Sequence, residues 1–475
     1  MEPKRAPARE DRPVHPRSSG HRDGRGRGLV DWLTEICDDG PAPGSGPGPG
    51  PGAAIGPPLG NAARAGAGAP FTPDALAGRA AQCEDPSLAL DLLLAAALRG
   101  RRTGAGAATR ERVAALAAPT EQAARDGDPR RLAALALAQP VRQGTLVLGQ
   151  LGRAGVQSVS DPEGLLLLGM AAQAVGDPAL AVDHLDRAQS LAHDQGRLGP
   201  LRWALAAQSQ ALLDLGDWHR AALAVEDGRR ISATWGRPAQ TAEALATEAQ
   251  AAALRGDGTA ALRLAERAED ACPDRPAETS GTTATAARLR LARGIAACAA
   301  GRSGEAYALL RGLFPADDGA GPAACGADDA AAPDGGWPCR EGFAAIAFLA
   351  DAALPARRRA EAAAVAGSLA RRTAGSPAPL LRIHLRYAAA VLADDVEAET
   401  LFRRALADNL ARWPWPRARA EFAYGRWLRA QRRTAEARPL LRSARLAFER
   451  IGAQPWAERA ADELRAAGET PHVPG

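Results

Sequence analysis

A Gly-Asp pair recurs three times at a fixed interval, and this recurrence is the feature that most restricts the fold. The glycines are Gly176, Gly216 and Gly256, so the interval is 40 residues each time. Each pair separates two stretches rich in alanine and leucine. Glycine ends a helix readily because it adopts the left-handed conformation at little cost, and the following aspartate can accept unpaired amides of the next helix. The pattern therefore predicts a unit of two helices joined by a tight corner.

Small residues occupy fixed positions after each corner. They stand five residues after the glycines and again seven residues further on, at Ala181, Ala221 and Ala261, then Ala188, Gly228 and Ala268. Small side chains let two helices cross closely, and a two-helix unit this short buries its apolar face only by stacking on neighbours. Later segments keep the pattern around Gly301, Ala398 and Ala437. A generic alanine-rich bundle is the alternative, but the constant register favours a repeat solenoid.

The units resemble the tetratricopeptide repeat, lengthened from its usual length of about 34 residues. That motif carries a glycine or alanine seven residues before the corner. Here Gly169 and Ala249 fill the position, and Ser209 departs from it. The resemblance implies an all-α, tetratricopeptide-like helical-repeat solenoid.

Composition divides the chain into five segments. The stretch 40–60 alternates glycine with proline, which raises the entropic cost of folding and removes hydrogen-bond donors. Near it, 29–39 has apolar spacing for one or two amphipathic turns. The predicted segments are a disordered basic and Gly/Pro-rich tail at 1–73, a helical-repeat solenoid at 74–314, a flexible loop at 315–340, C-terminal helical repeats at 341–468 and a tail at 469–475.

Charge and cysteine content argue against several classes of protein. The formal net charge is +4, and the fifteen arginines of 401–475 stand against eight acidic residues. That density is low for a dedicated nucleic-acid surface. The six cysteines form no CxxC pair, which is typical of a reducing cytosol. No signal peptide is recognisable, and the longest apolar run, at 164–172, is too short to span a bilayer. We therefore expect a cytoplasmic protein with no membrane contact.

The residues that common catalytic and cofactor sites need are missing from the sequence. Lys4 is the only lysine, so the chain has neither a Gly-x4-Gly-Lys phosphate loop nor an internal lysine for a Schiff base. No HExxH, GxSxG or GxGxxG motif occurs. His184 and His193 are nine residues apart, too far for a metal pair on one helix turn. We predict no enzyme activity, no catalytic residue, no cofactor and no metal.

Residues 417–470 carry a set of spaced motifs. They are Tyr424-Gly425, Leu428-Arg429, Ala437-Arg438, Leu441, Phe448, Gly452-Ala453, Trp456-Ala457, Glu463-Leu464 and Gly468. The set resembles the last repeats of the large ATP-binding regulators of the LuxR family, and 85–314 is similar to that family's middle repeats more diffusely.

In the LuxR-type regulators the repeats lie between an ATPase domain and a helix-turn-helix, and this chain shows neither. The resemblance therefore implies a non-enzymatic helical-repeat module of a LuxR-type transcriptional regulator, which binds an effector or a partner protein. Such a module would not bind DNA sequence-specifically by itself. A stand-alone tetratricopeptide-like scaffold for protein–protein interaction stays open as the alternative.

The tetratricopeptide resemblance also implies which residues line the concave groove. Carried onto these units, the first-helix positions give an apolar lining with a few amides, as ligand grooves have. The candidate contacts are Leu166, Met170, Gln173, Trp203, Gln210, Leu213 and Tyr387. The competing interpretation is that Trp203 and Tyr387 pack against neighbouring helices.

The last predicted helix suggests a surface for self-association. Its apolar stripe runs through Trp456, and beyond the stripe lie Ala457, Ala461 and Ala467. A solenoid needs a polar terminal cap. If these alanines are uncovered, we expect weak self-association through this end.

Overall fold

The computed structural model describes residues 28–37, 71–118, 127–153, 156, 158–232, 238–271, 283–314, 340–407 and 409–468. Within these ranges the chain forms 21 helices and no strand. The predicted all-α helical-repeat fold is confirmed. Three helices stand outside the repeated pairs: α1 (Leu29–Cys37), α2 (Pro73–Ala81) and α21 (Gln454–Ala466).

The other helices form nine successive antiparallel pairs. The first helices are α3 (Pro86–Thr103), α5 (Pro129–Ala138), α7 (Pro162–Ala174), α9 (Leu198–Leu215), α11 (Pro238–Arg255), α13 (Ala284–Ala299), α15 (Arg340–Ala353), α17 (Pro379–Leu392) and α19 (Pro414–Ala430). The second helices are α4 (Ala107–Ala117), α6 (Gly144–Leu151), α8 (Pro178–Asp194), α10 (Trp218–Ser232), α12 (Gly258–Asp270), α14 (Ser303–Arg311), α16 (Arg359–Arg372), α18 (Asp395–Leu406) and α20 (Thr434–Ile451). Each first helix packs on its own second helix and on the next first helix, so two layers enclose a continuous core.

The Gly-Asp corners work as the sequence predicts. Gly176, Gly216 and Gly256 take φ values of 84°, 98° and 92°, in the left-handed region. The aspartate behind each glycine accepts an amide from the first turn of the second helix; for Asp177 the donor is the Leu180 N–H at 3.0 Å. Each Gly-Asp pair therefore both ends one helix and caps the next.

Small residues hold the two helices of a unit close together. A Cβ atom at Gly169 would lie 2.5 Å from Leu185, and equivalent overlaps of 2.6 and 2.7 Å arise at Gly294 with Leu310 and at Gly425 with Leu441. Opposite them, the alanines five residues after the corner are buried: Ala181, Ala221, Ala261, Ala306, Ala398 and Ala437. The crossing geometry is thus the same in units far apart in sequence.

The array coils until its successive turns touch. The Leu380 N–H at the start of α17 donates to the Gly176 carbonyl at 2.9 Å. Likewise, Trp415 at the start of α19 packs on the Gly216 corner, and Pro455 at the start of α21 packs on the Gly256 corner. Each contact joins a unit to the fifth unit after it, so five units complete one superhelical turn.

An aromatic cluster fills the seam between turns. Trp415 is its centre and is only 3% exposed. Its ring centroid lies 5.0 Å from Trp218 in the earlier turn, 5.2 Å from Trp456 and 5.6 Å from Phe448. Phe348 stacks on it at 6.3 Å. The seam is therefore a continuation of the core.

The end of the array differs from the sequence-based expectation. Ala457 and Ala467 are buried and Ala461 is half-buried, so the predicted uncovered patch is wrong. The reason is the coiling: α21 packs on α20, and the Arg459 guanidinium donates to the Cys298 and Ala299 carbonyls of the earlier turn. That patch gives no basis for self-association, which stays an untested prediction.

The N-terminal region also differs from its prediction. Residues 29–37, inside the predicted disordered tail, form α1, because α3 and α9 cover its apolar face. The rest of that tail up to residue 70, the loop up to residue 339 and the C-terminal tail lie outside the described residues.

An Ala221→Leu variant tests the close crossing of α9 and α10. Ala221 is 1% exposed, so three extra carbons must displace neighbours, and we expect the free energy of unfolding to fall by about 1–3 kcal/mol. Denaturant titration followed by circular dichroism measures it. The control is His219→Leu, at an exposed position of the same helix, where we expect a change within about 0.5 kcal/mol. Equal midpoints for both variants would contradict the crossing.

Candidate functional site

The inner surface of one superhelical turn surrounds a pocket of about 140 Å³. The first helices α3, α5, α7, α9, α11 and α13 form its wall. The inner face of α10 forms its floor through Ala224, Val225 and Gly228. A pocket lined by consecutive first helices is where a coiled repeat array can contact one ligand from several units.

Gly228 explains why the floor is open. It stands in the column of small residues with Ala188 and Ala268, which are both buried. Gly228 is half-buried and lines the pocket instead. Within 4 Å a Cβ atom there would meet only Leu205, at 3.7 Å, so glycine leaves space beside the pocket.

Four of the seven residues predicted for the groove line this pocket: Met170, Gln173, Trp203 and Gln210. The Gln173 Nε2 donates to the Ala207 carbonyl at 3.1 Å and to the Gln210 Oε1 at 3.4 Å, so the two amides are held in position. Trp203 lies at the wall, and the Arg102 guanidinium stands 5.7 Å from its ring centroid. These residues form a partly apolar surface with fixed amide groups.

The other three predicted residues lie elsewhere. Leu166 and Leu213 are buried in the core between helices. Tyr387 is buried too, and its hydroxyl donates to the Asp351 carboxylate at 2.5 Å, while the Arg419 guanidinium lies 4.7 Å from its ring centroid. Tyr387 therefore packs against neighbouring helices, as the competing interpretation holds, and does not line the pocket. The inner radius of the coil decides which first-helix positions reach the pocket.

Sequence reasoning missed the arginines of the pocket. Its charged lining residues are one acid, Glu243, and five arginines: Arg101, Arg102, Arg202, Arg229 and Arg288. The Arg102 Nε donates to the Glu243 Oε1 at 3.1 Å across the bore, from α3 to α11. Arginine is abundant throughout this chain, so the sequence pattern carried no signal that these five would converge.

A buried ion network supports the end of the pocket near Arg288. The Arg288 guanidinium lies 3.1 Å from the Glu341 carboxylate, and both side chains are almost fully buried. Arg340 and Arg101 approach the same carboxylate at 3.6 and 3.9 Å, and Arg340 also pairs with Asp214 at 2.5 Å. The network thus joins α3, α9, α13 and α15, which lie on different sides of the bore.

The pKa values of the two buried carboxyls of the network shift in opposite directions. Burial raises the pKa of Glu341, but the attraction of Arg288, Arg101 and Arg340 outweighs it and holds the pKa at about 2. Burial also raises the pKa of Asp214, where Arg340 opposes the change without overcoming it. The Glu341 carboxylate is therefore the fixed anion that holds the arginines together.

The chemistry of the pocket suits binding. Its guanidinium groups can donate hydrogen bonds to an anion, Trp203 and Met170 offer apolar contact, and the glutamine amides can pair with peptide groups. Among the described residues no group of three or more His, Cys, Asp or Glu side chains could hold a metal ion. His184 is buried and His193 exposed on the same helix, so they do not converge. Within the described stretches of the chain no helix has the length and apolar content to cross a bilayer.

Comparison with known proteins gives no family. No protein-family description matches the sequence, and no curated protein matches it. Similar solved structures include a Rap protein complexed with competence and sporulation factor, at 10% identity and a TM-score of 0.44; the match covers 81% of this chain and 98% of that one.

Two further solved structures are similar to this chain over most of its length. Yeast Tom70 matches at 10% identity and a TM-score of 0.33, covering 82% of this chain and 96% of that one. A circular tandem repeat protein with a novel repeat topology matches at 14% identity and a TM-score of 0.17, covering 83% and 89%. At these values nothing about the function of this chain follows from the three structures.

Proposed function

We propose that this chain is a non-enzymatic binding module whose pocket holds a short peptide with a carboxylate and an apolar side chain. The observation that carries the proposal is the convergence of five arginines and Trp203 on one pocket that holds a single acidic side chain. Guanidinium groups bind carboxylates with paired, charge-assisted hydrogen bonds. An apolar side chain of the same peptide would lie against Met170 and the floor of α10.

The amide groups of the wall favour a peptide over a simple anion. Gln173, Gln210 and Gln240 line the pocket, and each amide can both donate and accept, as a peptide backbone requires. The carboxylate would bind toward Arg102 and Arg229, which pair with Glu243 and Glu248 and whose side chains are more accessible than that of Arg288.

The wider role that we propose is that of the repeat module of a LuxR-type transcriptional regulator in the cytoplasm. Its support is the set of motifs in 417–470, which forms α19, α20 and α21. In this role the peptide or a partner protein is the effector, and the chain does not bind DNA sequence-specifically by itself. A helix-turn-helix gene beside the gene for this chain would support the role, and a stand-alone scaffold is the alternative.

Filling the floor of the pocket tests the binding function. Random peptides displayed on phage would be selected on the wild-type chain, and binding of the enriched peptides measured on a Gly228→Leu variant. We expect enriched peptides to carry acidic and apolar residues, and the variant to lose at least about tenfold in affinity because leucine occupies the floor. The α10 helix itself should tolerate the change, since leucine favours a helix more than glycine does.

The matched control is Gly149→Leu, at an exposed helical glycine with open space around it. Binding to this variant should equal wild type, and affinity for wild type should fall with added salt. Peptides that bind both variants equally, or a selection that enriches nothing acidic, would contradict the proposed pocket.

A further inference from the structure

Helix α1 packs far from its neighbours in the chain. Residues 38–70 separate it from the next described residues, and its main contacts are with α3 and α9, together with Glu163 in α7. An isolated helix of nine residues is too short to be stable in water. The helical form of α1 therefore depends on the groove that these three helices provide.

One face of α1 supplies the apolar contact. Val30 and Leu33 are fully buried, and Leu29 and Ile36 are partly buried against the same core. These positions follow the three- and four-residue spacing that places side chains on a single helix face. An amphipathic helix lying in an apolar groove is a recurrent mode of peptide recognition.

Polar contacts fix both ends of α1. At its C-terminal end the Arg99 guanidinium donates to the Ile36 carbonyl at 2.7 Å. At its start Asp31 lies against the N-terminus of α9, where Gly199 leaves room for the carboxylate and Arg197 gives no side-chain cap. A carboxylate is favoured at the N-terminus of a helix. The groove thus provides polar partners for both ends of α1.

The groove and the pocket share residues. The Trp203 Nε1 donates to the Thr34 Oγ1 at 3.2 Å, and Arg202 approaches the same oxygen at 3.5 Å. Trp203 and Arg202 also line the pocket. Release of α1 would therefore change one wall of the pocket.

We propose that the groove between α3, α7 and α9 is a docking site for an amphipathic helix, and that α1 is its built-in, exchangeable occupant. The partner is a protein helix with the pattern of α1: apolar residues at the positions of Val30 and Leu33, an acid at that of Asp31 and a hydroxyl at that of Thr34. This proposal does not depend on what the pocket binds. The Gly/Pro-rich linker predicted at 40–60 would keep a released α1 near the groove, at an effective concentration on the order of millimolar.

Competition in the full-length chain tests the exchange. The probe is a fluorescent synthetic peptide of residues 28–37 carrying Cys37→Ser. We expect a Leu33→Asp chain, whose own α1 no longer fits, to bind this peptide at least about tenfold more tightly than the wild-type chain does. The Leu33→Asp form of the peptide should not bind. A chain carrying Val396→Asp, at a position 89% exposed, is the control and should behave as wild type.

A second substitution shows whether the groove is the binding site. Gly199→Leu, added to the Leu33→Asp chain, places a side chain where Asp31 of the peptide must lie, so peptide binding should be lost while the helical circular dichroism is retained. No gain in peptide binding by a folded Leu33→Asp chain would overturn the proposal, and so would a Leu33→Asp chain that does not fold.

Hydrogen exchange of the wild-type chain gives an independent readout. Amides of 32–36 should exchange by local opening, faster than the central amides of α9. Exchange of α1 only at the rate of global unfolding would make α1 a permanent component of the core and overturn the proposal. A wild-type dimer that Leu33→Asp converts to a monomer would place α1 in a second copy, which contradicts docking within one chain.

Discussion

A Trp415→Ala variant is expected to lose about 3–5 kcal/mol of its free energy of unfolding. Trp415 is buried at the centre of the seam, where it contacts Trp218, Phe448 and Trp456 and packs on the Gly216 corner. Removing the indole leaves a cavity that rigid helices on both sides cannot close. Urea denaturation followed by far-UV circular dichroism measures the loss.

Trp427→Ala is the matched control for the seam. Trp427 is half-buried in the same helix and contacts Phe402 of the preceding unit and Tyr424 of its own helix, without reaching the earlier turn. We expect it to cost about 1 kcal/mol. Equal losses for the two variants would mean that the seam contributes no more to the free energy of unfolding than any other contact. The turns would then not form a single cooperative structure.

A Glu341→Ala variant should lose about 3–5 kcal/mol, because it leaves buried cations without their counter-charge. Glu341 is 1% exposed and faces Arg288, Arg340 and Arg101. The control is Glu361→Ala, whose exposed carboxylate pairs with Arg358 and accepts from the Tyr307 hydroxyl, and whose loss we expect to be much smaller because water screens exposed charges. A loss at Glu341 no larger than that at Glu361 would contradict the network.

The same network predicts a pH dependence. The pKa of Glu341 is about 2 in the folded chain, below its usual 4.5, so folding favours the ionised carboxylate. Its contribution to stability is complete above about pH 4.5 and is lost as the pH falls toward 2. The difference between the unfolding midpoints of wild type and Glu341→Gln, measured from neutral pH to about pH 3, should shrink toward the acidic end. A constant difference between the two would show that Glu341 does not titrate in this way.

The sequence by itself determined the repeated unit. Gly176, Gly216 and Gly256 end helices because a left-handed residue is needed there, and the aspartates cap the next helix within three residues. Gly169, Gly294 and Gly425 permit close crossing through a leucine of their own unit. All these interactions are short in sequence, so residue type and spacing are sufficient to predict them.

The tertiary structure alone decided which residues form the site. Nothing near Gly228 in the sequence distinguishes it from Ala188 or Ala268, yet it alone of the three opens into the pocket. Leu166 and Met170 lie one turn apart on α7, and only Met170 reaches the pocket. The inner radius of the coil separates them, and that radius is the sum of small rotations between successive units.

The same summed rotation decided the contacts between turns. It brings Trp415 onto Gly216, Pro455 onto Gly256 and Arg340 beside Asp214, residues more than 120 positions apart. It covers Ala457 and Ala467, and it shapes the groove that holds α1. No local pattern encodes a contact between units five repeats apart, because a small change in each rotation would move the later turn to a different neighbour.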